Sequence, residues 1–450
     1  MPSALVGVGS VGTTGVAAFS ILALTVSLSL ARPRVRGHRV EHAIAAALGA
    51  ALSIALGIVP LELLATALRL LFAPILTIVS LMVITPIAER AGLFELLSRG
   101  IAAAARGRGH RLFAYVFVCG TVTGMVFTND AAVLIFTPLV FQLVEQVRTD
   151  AWEMRQRIPF YFAVLYVANL VGALVISNPI NIVVSSLFHI SFAEYARWMF
   201  LPALASIVVS FAGLWAVFRK DIPARFEWSA PPARPRNRRL LVFSAIVLAA
   251  TLVGFFSDSI TGIPTWLVAF VGAVVLLGIY ATVGGGRPGT ILRGVSWDVL
   301  AFVVGIFVVV LGLRHAGVTY EIGALLSHLA SKGLGILTLG TSLFAAGASS
   351  VTNNHPTAYM MGWAIRDLGA EPLQTRAMVY AALIGGDLGP KMLPIGSLAA
   401  LIWFRLLRDR GVQIPYSLYI RIGVPVTLLA LLAAVLALNA ELALATGLAP

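Results

Sequence analysis

Apolar runs of about 17 residues or more recur from one end of this chain to the other, and a run of that length crosses a bilayer as a helix. Inside lipid the backbone must satisfy its own hydrogen bonds, which restricts such a chain to helices or a closed barrel. The 450 residues are 59% hydrophobic and 11% charged, against about 25% charged in a soluble domain. The chain therefore reads as an all-α polytopic membrane protein, not as the two or three soluble domains its length would allow. The net charge is +13. Its basic residues sit in short loops between apolar runs, where they set orientation, so nucleic acid is not an expected partner. The N-terminal Met-Pro-Ser-Ala-Leu-Val-Gly lacks a basic region, and no cleaved signal peptide is expected.

The interruptions in these runs carry the functional information. Thr128-Asn129-Asp130 lies within an apolar stretch at 112–147 that has basic residues on both flanks. Each arm has about 17 residues, or ~25 Å of helix, short for a ~30 Å hydrocarbon core. A re-entrant hairpin with its polar tip inside the protein fits better than two crossings. The stretch 160–189 is broken at Ser177-Asn178-Pro179-Ile180-Asn181, where proline cannot donate to a helix ladder. The second half offers a hairpin at about 334–365, with Thr352-Asn353-Asn354-His355-Pro356 at its tip. A second broken helix covers 379–407, interrupted at Gly385–Lys391 and near Gly396-Ser397.

Weak anchors repeat at nearly one offset: Ala91-Gly92 as Ala316-Gly317, Thr128-Asn129 as Thr352-Asn353, and Tyr195-x-Arg197 as Tyr419-x-Arg421. The expected organisation is an N-terminal span at 1–40, a first repeat at 41–218, a basic cytoplasmic linker at 219–239 and a second repeat at 240–450. Counting crossings from the linker opens the two hairpins to opposite sides, so the repeats are inverted, as in many secondary transporters. About 10 full spans plus two hairpins follow, with both termini outside. The Pro- and Arg-rich linker reads as flexible.

Ionisable groups at membrane depth mark substrate or proton paths. Candidate substrate contacts are Thr128, Asn129, Asn178, Asn181, Thr352, Asn353, Asn354, Gly396 and Ser397. Asp130, His355, Asp387 and Lys391 are the candidate proton-coupling groups. The plainer roles are capping of the second hairpin arm by Asn129 or Asp130, a structural Asp387–Lys391 ion pair at helical spacing, and a His355 bonded to backbone. No His/Cys/Asp cluster has metal-ligand spacing and Gly284-Gly-Gly-Arg287 is no phosphate loop, so no cofactor is expected.

The stretches Thr128-Asn-Asp-Ala-Ala-Val-Leu-Ile-Phe-Thr-Pro138, Ser177-Asn-Pro-Ile-Asn-Ile-Val183, Ser349-Ser-Val-Thr-Asn-Asn-His-Pro-Thr357 and Gly386-Asp-Leu-Gly-Pro-Lys-Met-Leu-Pro-Ile-Gly-Ser-Leu-Ala399 resemble the arsenite permease (ArsB, arsenical pump membrane protein) family of the ion transporter superfamily. His355 and Pro179 depart from its pattern. The resemblance implies a non-enzymatic, proton-coupled exporter of arsenite and antimonite in a bacterial inner membrane. Related members move sodium, silicate or dicarboxylates, so sodium/proton exchange or anion transport is the alternative. An intramembrane protease using Asp130 and Asp387, or a channel, is a more distant one. Implied partners are the neutral trihydroxide substrate, protons and lipid. A cytoplasmic ATPase subunit on the linker and a second copy of the chain are left open.

Trivalent arsenic favours several soft thiolates, and a chain with Cys119 alone cannot supply them. The substrate would be held by amides, hydroxyls and helix ends. Cys119→Ser is therefore expected to leave arsenite flux in vesicles unchanged, and a flux that collapsed would place a thiolate in the site.

Overall fold

The structure, a computed structural model, describes residues 12–35, 38–145, 153–167, 170–227 and 237–447. In the first half the helices are α1 (Thr13–Ala31), α2 (His42–Ala55), α3 (Leu61–Arg90), α4 (Leu93–Ala105), α5 (Gly109–Val126), α6 (Asn129–Glu145), α7 (Met154–Val167), α8 (Pro179–Leu187) and α9 (Phe192–Phe218). In the second they are α10 (Arg238–Phe256), α11 (Asp258–Thr261), α12 (Thr265–Thr282), α13 (Pro288–Arg293), α14 (Trp297–His315), α15 (Val318–Ala330), α16 (Leu334–Thr352), α17 (Asn354–Leu368), α18 (Pro372–Leu388), α19 (Leu398–Arg408) and α20 (Tyr416–Thr446). A ribbon of Arg34–Val35 against His38–Arg39 is the one strand pair among the described residues. Eight described helices are long and apolar enough to cross a membrane.

The halves repeat element for element. In each, a spanning helix (α3, α14) ends at a glycine in the left-handed region, Gly92 at φ 89° or Gly317 at φ 80°. A short surface helix follows (α4, α15), then a helical hairpin (α5–α6, α16–α17), a broken helix (α7–α8, α18–α19) and a long final helix (α9, α20). The packing is exchanged between halves: α2 lies along α14, α12 lies along α3, and α9 and α20 pack together. With α7–α8 taken together as one crossing beside α3, α9, α10 and α12, the second repeat runs opposite to the first.

Burial sorts these elements. Only Leu240, Ser244, Thr251 and Phe255 of α10 are buried, leaving the rest of an apolar helix for lipid. Every residue of α18 from Ala377 to Leu388 is buried, as is α7 from Pro159 to Val167. The two broken helices thus form the centre. Helix α18 approaches α16 backbone to backbone. A Cβ on Gly385 would sit 2.2 Å from the Ser342 carbonyl, and one on Gly389 would sit 2.3 Å from the Ala346 carbonyl. The small residues facing them also donate. Ser342 Oγ bonds the Ala381 carbonyl at 2.7 Å and Ser350 Oγ the Gly389 carbonyl at 2.8 Å. In the membrane, where no water is at hand, these bonds also give the two buried hydroxyls a partner.

The described start of the linker is docked. Its start is pinned to the open end of the first hairpin: Gly109 N donates to the Ala224 carbonyl and Phe226 N to the Gly107 carbonyl. Ile222 and Phe226 are buried, and Asp221 pairs with Arg155 at 2.6 Å. An apolar side chain every four residues gives this Arg-rich stretch a docking edge that its Pro content conceals. Residues 228–236 lie outside the described residues.

Gly389→Ala forces a methyl into the α16 backbone, and overpacking of this kind costs about 1–3 kcal/mol. It is expected to lower the Tm of the detergent-purified chain. Gly347→Ala on α16, where a Cβ meets nothing within 4 Å, should not. Equal Tm for the two variants would refute the close α16–α18 contact.

Candidate transport site

The site begins with the first break. From Leu170 the chain runs without helix to Leu174, forms a 3-10 turn at Val175–Ser177, and re-enters a helix at Pro179. Proline suits a first helical position because its missing N–H would be unpaired there anyway. Asn178 caps this helix, its Oδ1 accepting from Ile180 N at 3.3 Å. Pro179 therefore starts α8 and does not kink a continuous helix.

The second break is built differently. Helix α18 ends at Leu388 and tightens into a 3-10 turn at Gly389–Lys391. The chain then runs without helix to Ser397, which caps α19 by accepting from Ala400 N at 3.2 Å. Gly396 lies on the hairpin arm α16, where a Cβ would stand 2.7 Å from the Ser350 carbonyl.

The two breaks meet at Asp387. Its carboxylate is fully buried and accepts three hydrogen bonds from the first repeat. Asn178 Nδ2 donates to Oδ1 at 2.7 Å, while Asn181 Nδ2 and Gly172 N each donate to Oδ2 at 3.1 Å. The expected Asp387–Lys391 ion pair is absent among the described residues. Four residues match a turn only in a continuous α-helix, and here the helix tightens between the two positions. Lys391 is buried, and its Nζ has no hydrogen-bond partner but stands 4.9 Å from the centre of the Tyr166 ring. Tyr166 is itself held by its hydroxyl, which donates to the carbonyls of Gly423 at 3.2 Å and Ile422 at 3.3 Å.

The hairpin tips carry the remaining candidate residues. In the first, Thr128 caps α6: its Oγ1 accepts from Ala131 N at 3.1 Å and its carbonyl from Ala132 N at 3.0 Å. Thr128, the residue before Asn129, thus takes the capping position. Asn129 is buried with Nδ2 unpartnered, and its Oδ1 would stand 3.4 Å from a Cβ on Gly124. The Asp130 side chain lies outside the described residues.

In the second tip Asn353 is the cap, at φ 81°, accepting from His355 N at 3.2 Å. Caps align Thr128 with Asn353, Asn129 with Asn354 and Asp130 with His355, one residue off the register of the Thr-Asn sequence match. Thr352 Oγ1 donates to the Ala348 carbonyl and lies 2.9 Å from Thr357 Oγ1. His355 Nδ1 is 2.9 Å from Asn354 Oδ1 and 3.2 Å from Asn353 Oδ1, so that nitrogen donates and the buried Nε2 is left unpartnered. His355 is bonded to tip side chains through its ring, and its edge-on aromatic neighbours are Phe302 of α14 and Tyr359.

Sequence reasoning missed Gly172, Tyr166, Phe302 and the serines of α16. A backbone donor and ring neighbours leave no sequence signal, but Ser342 and Ser349, seven residues apart on one helix face, do. Among the described residues no group of three metal-ligating side chains converges.

Duplicated hairpins, and two broken helices that meet at a buried carboxylate, define a polytopic membrane transporter. The sequence profile described as "Arsenical pump membrane protein" matches residues 16–442, and the chain belongs to that family. It is 33% identical to the arsenical pump membrane protein of Yersinia enterocolitica over 413 residues, 91% of this chain and 95% of the relative. It is 34% identical to that of Escherichia coli over 356 residues, 78% of this chain and 82% of the relative. The fold is similar to the crystal structure of the Alcanivorax borkumensis YdaH transporter, with TM-score 0.60 and 14% identity over 98% of this chain and 100% of that one.

A hydrogen bond to a charged group contributes about 1.5–3 kcal/mol, and leaving its buried partner unpaired costs about as much. Asp387→Ala and Asn178→Ala are each expected to lower stability, and the double variant to lower it by at least ~1 kcal/mol less than their sum. Thermal unfolding of the three variants measures this, and additivity would refute the clamp.

Proposed function

We propose that the chain is a secondary active transporter that exports arsenite and antimonite in exchange for protons. The observation that carries this reading is the Asp387 clamp between the two broken helices, in a chain of the arsenical pump family. A carboxylate held only by neutral amides and a backbone N–H loses its acceptors' complement when it is protonated. Proton arrival at Asp387 therefore loosens Asn178 and Asn181 from it. Those amides, with Thr128 and Asn129 on one tip and Thr352, Asn353 and Asn354 on the other, suit the oxygens of a neutral trihydroxide. Ser397 and the close backbone at Gly396 complete the second side. The N-termini of α6, α8, α17 and α19 add partial positive charge for the same oxygens.

Asp130, His355 and Lys391 are the remaining proton-coupling groups of this reading. The cation–π contact of Lys391 contributes about 2 kcal/mol when desolvated, less than the several kcal/mol needed to bury an unpaired ammonium. Its protonation is thus tied to what else enters the site. With the basic linker cytoplasmic, both termini fall outside, the first hairpin opens inward and the second outward.

Everted vesicles energised to an acidic lumen should take up arsenite, and a protonophore should stop this uptake while sodium removal leaves it unchanged. Asp130→Asn should reduce uptake at least tenfold. Uptake that needs sodium, or that survives the protonophore, would overturn proton exchange. Full coupling in Asp130→Asn would remove that residue from the mechanism.

A further inference from the structure

A cavity of about 320 Å³ lies beside the first broken helix, away from the Asp387 clamp. Its walls are α3, the face of α8 beyond Asn181, the turn between α8 and α9, and the 258–266 segment leading into α12. Two of the oxygens on residues that line it are buried and unpartnered: Ser185 Oγ and Asp258 Oδ1. Ser185 is 3% exposed. Asp258 is fixed by its other oxygen, Oδ2, which accepts from Phe192 N at 2.6 Å and from Thr265 Oγ1 at 3.4 Å. One carboxylate oxygen thus holds the start of α9, and the other has no partner among the described residues.

The cavity is joined to the clamp by sequence spacing on one helix. Asn178, Asn181 and Ser185 stand three and then four residues apart, which puts them on one face of α8. Val175 and Ile182, which also line the cavity, flank the two asparagines. A polar edge therefore runs along α8 from the Asp387 clamp into the cavity.

We propose that this cavity is a second binding site, a vestibule for a small neutral polyhydroxyl acid. The chemistry selects that class. The acceptor Asp258 Oδ1 needs a donor, Ser185 Oγ can donate or accept, and Asp258 repels anions. The Val175, Ile182, Pro74 and Trp266 walls offer a strongly hydrated cation no replacement for its water shell. A molecule with several O–H donors and no charge satisfies both oxygens. A water molecule's share of liquid volume is about 30 Å³, so a trihydroxide of a few heavy atoms fits with room to turn. The cavity lies at the 257–264 end of α10, opposite the linker, which is the release side in the orientation proposed above. The vestibule would receive substrate as it leaves Asn181. This proposal rests on the exporter reading for its ligand.

The test is equilibrium binding of arsenite to the full chain in nanodiscs, read as arsenic per protein by elemental mass spectrometry. Two equivalents are expected for the unaltered chain. Ser185→Ala should leave one, and so should Asp258→Asn, a second variant should either fold poorly. Asn181→Ala should remove the other equivalent and spare this one. A single equivalent that survives Ser185→Ala and disappears in Asn181→Ala would overturn the vestibule, whose two oxygens would then hold water only, and leave the exporter reading intact. No arsenite bound at all would overturn both. Sodium displacing the second equivalent would show a cation site and overturn the chemical class.

Discussion

Asp387 is the point on which the rest of the arrangement depends. A carboxylate without exposure to solvent costs several kcal/mol to bury, and only multiple donors offset that. Here Asn178, Asn181 and Gly172 supply three, and all come from the opposite repeat. They can reach Asp387 only because α7–α8 is interrupted. The break turns the Gly172 backbone N–H away from a helix ladder and points the α8 N-terminus at the acid. The second broken helix is tied to its hairpin arm as well, since Ser342 and Ser350 of α16 bond the carbonyls of Ala381 and Gly389. The glycines at 385 and 389 that meet α16 and the serines of α16 therefore act together: close approach of the backbones permits the bonds.

The inverted repeats share a scaffold but not a chemistry. Their capping residues put Asp130 and His355 at equivalent places on the two tips, an acid on one and an imidazole on the other. His355 is tied to its neighbouring amides and abuts Phe302 of the scaffold helix α14. Phe302 in turn has His42 of α2 on another edge, and His42 Nδ1 lies 2.5 Å from Ser29 Oγ. The second tip is thus connected through aromatic contacts to the first two helices of the chain. In the same way the acid and lysine of the second broken helix have separate surroundings, amides for Asp387 and a tyrosine face for Lys391. The two halves built on one repeated plan thus differ in chemistry, and that asymmetry is the basis for the exchange proposed here.

Most of the architecture was legible from the chain alone. The apolar runs gave the spans, and short arms with basic flanks gave the hairpins. Asn-Pro and Gly-Pro gave the breaks, and Ala-Gly and Tyr-x-Arg pairs gave the repeat. The site was legible as residues but not as contacts. Asp387 and Lys391 stand at helical spacing in the sequence, and a 3-10 turn separates them. Asn129 and Asp130 are good caps by type, and the capping position before α6 is instead held by Thr128. The linker is rich in Pro and Arg, and Ile222 and Phe226 dock its first part regardless. Each difference is a case of local preference yielding to burial: an acid with three amide donors needs no lysine, and two apolar side chains outweigh a flexible composition.

What the sequence by itself determined is a matter of local physics. Backbone hydrogen bonding in lipid requires helices, and polar residues within apolar runs mark where those helices stop. Which polar residues meet is decided only by tertiary structure, because the partners of Asp387 lie in the other repeat, more than 200 residues away in the chain. Their distance depends on how two broken helices, each unable to satisfy itself, complete one another across the centre of the protein.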